Sequence, residues 1–135
     1  MTWKIETIPV PVADIDRALA FYGDTLGFPV DLDLRFPDGS RTVQITPPGS
    51  GCSIHLNSAL TRCPAGSLEG VQIVVDDVAA ARQYLLDRGV QASPVRHYAD
   101  GEWRDGHGGR WNAFVFFDDP DGNSWVLQER PAESD

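Results

Sequence analysis

One pattern is spelled out twice in this chain, and the repetition is the tightest constraint on how it folds. Residues 12–28, VADIDRALAFYGDTLGF, and residues 75–90, VDDVAAARQYLLDRGV, each open on Val and an Asp. Apolar residues then recur at helical spacing: Ile15, Ala18, Leu19, Tyr22 and Leu26 in the first, Val78, Ala81, Leu85 and Leu86 in the second. Asp14 and Asp77 can accept from the free N–H groups of a first helical turn. Gly27 and Gly89 follow where a left-handed residue ends a helix.

The flanks repeat as well. KIETIPVPV precedes the first helix and GVQIVV the second, both strand-like. FPVDLDLRF, RTVQIT and CSIHLN follow the first helix; VQASPV, RWNAFVFF and NSWVLQE follow the second. Asp-Gly in FPDGSR suits a hairpin turn, because both residues tolerate positive φ. TPPGSGCSIHL and DDPDGNSWVLQ close the modules alike, and aligning Gly51 with Gly122 sets Ser53 on Ser124 and His55 on Val126. The chain therefore reads as an α+β domain, 1–135, built from two tandem β-α-β-β-β modules. Module one covers about 4–57, a polar linker 58–68, and module two about 69–130.

At 135 residues and 41% hydrophobic content the chain can bury one core. A net charge of −9 argues against nucleic acid, whose phosphates it would repel, and is compatible with a cationic ligand. The N-terminal run MTWKIETIPVPV is too short and polar for a signal peptide or a membrane span, so a cytoplasmic location is expected. Cys52 and Cys63 form no disulfide framework or CxxC motif and are expected as free thiols. No Gly-rich phosphate loop opens a helix, GHGG at 106–109 being a weak signal, and no nucleophile elbow is visible. The Asp runs in FFDDPDG and VVDD are turn and cap residues.

The symmetry fails in one place. From Gly27 to Pro48 the first module is compact, whereas from Gly89 to Pro120 the second is longer, the excess falling in RHYADGEWRDGHGGR, residues 96–110. Long loops are either surface tips or binding loops. His97, Trp103, His107, Arg110 and Trp111 are more than a solvated tip needs. Trp111, expected to begin a strand, and Trp103 either seal the core or stack on a flat or cationic ligand.

The paired modules, the helix start VADIDRALAFY and the turn DPDGN together resemble the vicinal oxygen chelate superfamily: glyoxalase I, bleomycin-resistance proteins, fosfomycin-modifying enzymes and extradiol dioxygenases. The resemblance covers roughly residues 4–130. It implies a curved mixed sheet around a cavity and a homodimer. It also implies metal-ligand positions on the first and last strand of each module, which here hold Thr7, Gly70, His55 and Val126. Of these His55 alone ligates well, and three protein ligands are the usual minimum for a catalytic ion. No metal or other cofactor is therefore expected; the alternative is a divalent metal held by His55 with His97 or His107. The same geometry turns Ser53, His55 and Asn57 towards the cavity and Cys52, Ile54 and Leu56 towards the helices. Counting by two adds Gln72 and Gln128.

Two functions follow. The first is a metal-free protein that binds an aromatic or cationic metabolite or antibiotic, as bleomycin-resistance proteins do, through Ser53, Asn57, Gln72, Gln128, Trp103, His107, Arg110 and Trp111. The second is a glyoxalase-like lyase or isomerase acting on a small oxygenated metabolite, with His55 as general acid or base. In both the partner is a small molecule, with no nucleic acid and no membrane.

Overall fold

Both expected helix caps form. Asp14 and Asp77 sit in extended backbone and accept from Arg17 N and Ala80 N at 3.1 and 3.0 Å, each cap contributing about 1 kcal/mol. Gly27 and Gly89 follow with φ of 77°. The computed structural model describes residues 1–57 and 60–132; Ser58 and Ala59, at the head of the expected linker, and 133–135 lie outside the described residues.

In chain order the elements are β1 (Thr7–Val10), α1 (Ile15–Leu19), β2 (Val30–Arg35), β3 (Arg41–Ile45), β4 (Ser53–Leu56), β5 (Val71–Val75), α2 (Val78–Asp87), β6 (Arg96–Ala99), β7 (Glu102–Asp105), β8 (Phe114–Asp118) and β9 (Ser124–Glu129). They form two mixed sheets, β1-β4-β3-β2 and β5-β9-β8-β6-β7. Each joins its first and last strands in parallel, with Pro9 beside His55 in one and Gln72 beside Val126 in the other. That is the correspondence the repeat implies.

The first helix departs from expectation. After Leu19 it widens into a π-helical stretch, Ala20–Thr25, closed by Leu26 N to Phe21 O at 2.9 Å. Gly23 sits inside it, where an added Cβ would come within 3.6 Å of Val30. The wide stretch carries the buried Tyr22, whose hydroxyl donates to Asp119 Oδ2 at 2.7 Å.

Two compact units result, one of residues 1–68 with 119–123 and one of 69–118 with 124 onward. The turn at 119–123 thus packs with the first module although module two supplies it. Asp119 accepts from Tyr22 and from both nitrogens of Asn123, and Asn123 Nδ2 also donates to Pro11 O. Asp119 and Asn123 are buried and satisfied, as buried polar groups must be. Gly66 is obligatory beside this turn, since a Cβ there would lie 2.1 Å from the Asp121 carbonyl oxygen.

In the first unit Val10, Ala18, Tyr22, Val43, Ile45, Ile54 and Leu56 form the core; in the second, Val78, Leu85, Val115, Phe117, Trp125 and Leu127. Ile54 and Leu56 are therefore the buried face of β4, as the alternation predicts. Among the described residues no helix is long and apolar enough to cross a membrane.

Module two corrects three expectations. VQASPV makes one isolated bridge, Ala92 to Phe117, and is not a strand. The expected long loop is largely a hairpin, β6–β7, turning at Asp100-Gly101 with φ of 52° and 79°. Two successive positive φ values match the right-handed twist of the strands, and Asp-Gly supplies both. Trp111 does not begin a strand: its φ is 58°, in a turn ahead of β8.

Candidate functional site

The sheet of the second unit has one face on α2 and one open face, and period-2 alternation decides what each carries. Val115, Phe117, Trp125 and Leu127 point to the core. The strand register puts Phe114, Phe116, Tyr98 and Trp103 together on the other face with Gln72, Val74, Val126 and Gln128. Trp103 is the centre of the cluster. Its ring meets Tyr98, Phe114 and Phe116 edge-on with centroids 5.2, 5.2 and 5.1 Å away. Such pairs contribute about 0.5–1.5 kcal/mol each beyond burial, so the ring is held in a fixed orientation. Trp103 nevertheless keeps 48% of its surface exposed and Tyr98 50%.

Polar groups border these rings. Gln72 Nε2 donates to Gln128 Oε1 at 2.9 Å, and Gln128 Nε2 donates to Trp111 O at 2.9 Å. The two glutamines thus have fixed amide orientations. Gln72 and Gln128 share a face, as counting by two expects, and the hairpin brings Trp103 onto it. Trp111 joins them through its backbone carbonyl.

Sequence reasoning missed Asn112. Its Oδ1 accepts from Tyr98 N at 2.8 Å and its Nδ2 donates to Tyr98 O at 2.9 Å. One side-chain amide thereby replaces a neighbouring strand and anchors β6 beneath the aromatic cluster. The signal available was the Asp-Gly pair at 100–101, which marks a hairpin as it does at 38–39.

His107 and Arg110 lie elsewhere in this unit. With Trp111, Glu129 and Asp76 they line an open cleft of about 330 Å³ at the C-terminal ends of β5 and β9. His107 Nδ1 accepts from Gly109 N at 3.0 Å, so Nε2 carries the proton and donates to Glu129 Oε1 at 2.6 Å. Glu129 Oε2 accepts from Val78 N, the first N–H of α2, at 3.0 Å. The hydrogen bond from His107, and then that from Val78, holds the Glu129 carboxyl below the usual carboxylate range. Nδ1 of His107 thus braces its own loop at Gly109, and Nε2 ties that loop to β9 through Glu129, which in turn holds the start of α2.

In the first unit Ser53 and His55 share the open face of β4, as expected. Thr46 Oγ1 bonds to Ser53 Oγ at 2.7 Å and to the Asp31 carboxylate. His55 lies between Pro9 and Gln44 in register. Among the described residues no carboxylate bonds to its ring, so none orients it for proton transfer. Asn57 is a correction. It leaves the strand with φ of 52°, and its Oδ1 accepts from Val12 N at 2.9 Å. The side chain closes the end of β1 instead of facing a ligand.

Among the described residues no three of His, Cys, Asp and Glu converge. Within the second unit His97 Nδ1 is bonded to Gly106 O at 2.9 Å and His107 Nε2 to Glu129 Oε1 at 2.6 Å.

The family model for the glyoxalase/bleomycin resistance protein/dioxygenase superfamily matches residues 4–127. The chain is similar to TnmS3, an antibiotic binding protein from Streptomyces sp. CB03234, at 32% identity and a TM-score of 0.76, over 96% of this chain and 97% of that one. A glyoxalase/bleomycin resistance protein from the same strain matches at 32% identity and a TM-score of 0.73, over 93% and 100% of the two chains. A superfamily member from Sphaerobacter thermophilus DSM 20745 matches at 27% and 0.73, over 96% and 98%. No curated protein matches the chain.

Proposed function

The chain belongs to the glyoxalase/bleomycin resistance protein/dioxygenase superfamily, and from that premise we propose that it binds and sequesters a flat aromatic small molecule without metal and without turnover. The observation that carries this is the Trp103 cluster: four rings on one sheet face, held edge to edge, with half of Trp103 left exposed. An exposed, oriented aromatic surface bordered by a few fixed polar groups is the chemistry of a small-ligand site. The antibiotic-binding function of TnmS3, at 32% identity over nearly the whole chain, supports the same reading. A ligand that is also cationic would gain from the net charge of −9. The protein acts as a homodimer, as the family resemblance implies; light scattering after size exclusion tests this.

Calorimetric titration with bleomycin and with 2-naphthol, a flat neutral probe, tests the proposal, each run with and without EDTA. Saturable binding unaffected by EDTA is expected. Trp103→Ala should weaken it at least tenfold, about 1.4 kcal/mol. Equal binding by wild type and variant would remove the aromatic face from the site, and loss of binding in EDTA would restore a metal.

A further inference from the structure

The strand register places a cation on the same sheet face as these rings. Arg96 is directly across from Phe114 on one side and from Asp105 on the other, on the face that carries Tyr98 and Trp103. Side chains at such paired positions are about 5 Å apart at Cβ. The Arg96 side chain is 41% exposed, so the end of the guanidinium reaches solvent. Nε is buried and has no hydrogen-bond acceptor among the described residues. The Asp105 carboxylate is 3.5 Å from Nε, an ion pair without a hydrogen bond, and 82% of the Asp105 side chain is in solvent. Arginine presents five donors in a planar fork that matches a carboxylate or a pair of acceptor oxygens.

We propose that Arg96 sets ligand specificity: the molecule bound on the aromatic face carries an anionic or strongly accepting oxygen next to its ring, which the guanidinium receives. This rests on the aromatic-face reading and refines it. The overall negative charge attracts cations from a distance, but at physiological salt that field is screened within roughly 8 Å. Contact with Arg96 then decides between two ligands of one shape. The expected ligand class is an aromatic carboxylate, phenolate or ring ketone.

Two probes of matched size, naphthalene-2-carboxylate and naphthalene-2-methylammonium, are titrated calorimetrically at 0.15 M salt into wild type, Arg96→Met, Asp105→Asn and Trp103→Ala. The expected result is at least tenfold tighter binding of the carboxylate by wild type. Arg96→Met should abolish that preference by weakening the carboxylate alone. Asp105→Asn, which releases the guanidinium, should tighten the carboxylate severalfold, and it carries the test if Arg96→Met fails to fold. Equal affinities in wild type, or a preference that survives Arg96→Met and ignores Asp105→Asn, overturns the role of Arg96. If Trp103→Ala still weakens both probes in that case, the aromatic-face reading stands alone. Absence of binding by either probe, or binding indifferent to Trp103→Ala, overturns both.

Discussion

Tyr22 shows how far one hydroxyl reaches. It lies in the π-helical stretch of the first module, yet its partner Asp119 belongs to the second-module turn 97 residues on. Asp119 is already bonded by Asn123, and all three side chains are buried. Tyr22→Phe removes one donor from a satisfied carboxylate and should cost about 1–3 kcal/mol, the range for orphaning a buried partner. Asn123→Ala removes bonds to both Asp119 and Pro11 and should cost more. Urea unfolding measures both; an unchanged midpoint for Tyr22→Phe would mean the hydroxyl is not holding the turn. Asn57 teaches the complementary lesson. Alternation placed it on the face of Ser53 and His55, but the strand ends at Leu56 and the left-handed backbone turns its amide to Val12 N.

Among the elements, the β6–β7 hairpin departs most from the repeat, and the proposed aromatic site rests on it. Its second strand, β7, has no counterpart in module one, whereas β6 stands beside β8 as β2 stands beside β3; the hairpin brings Tyr98 and Trp103 over Phe114 and Phe116. Its register is set by Asp100-Gly101 and its seat by Asn112. Asn112→Ala leaves the Tyr98 N–H and C=O without those partners. We expect faster amide exchange across 96–105 and a loss of about 1–3 kcal/mol. The affinity for 2-naphthol should fall with it, because Trp103 would lose its fixed orientation. Unchanged exchange would show that the turn alone holds the hairpin. Helix α2 depends on the far end of the same unit, through Glu129 at its first N–H.

For the whole molecule the dominant variable is acid. Glu129, Asp16 and Asp33 all titrate below their ordinary values, Glu129 through His107 and the two aspartates through Arg41. A carboxyl whose folded pKa is depressed binds protons more readily when unfolded. Its contribution is therefore complete above the ordinary value, 4.5 for Glu and 3.8 for Asp, and is lost as pH falls through the lower folded value. Denaturation midpoints should be flat from pH 7 to about 5 and decline steadily below the ordinary Glu value. Glu129→Gln should be less stable at pH 7 and decline less steeply. A wild-type midpoint that does not move between pH 5 and pH 3 would contradict this.

The sequence by itself determined the doubled β-α-β-β-β plan, both helix caps and the buried face of β4 at Ile54 and Leu56. It could do so because caps, periodicity and repeat symmetry act between residues near in the chain or equivalent in the two modules. Ser53, His55, Gln72 and Gln128 were placed on their faces by the same arithmetic. Tertiary structure alone decided the widening of α1, the anchoring of 119–123 in the first unit, the withdrawal of Asn57 and Trp111 into turns, and the pairing of His107 with Glu129. It also decided that Arg96 and Trp103 share a face. Each of these depends on a hydrogen bond or ring contact between side chains distant in sequence or on a single left-handed residue. Periodicity carries no information about either.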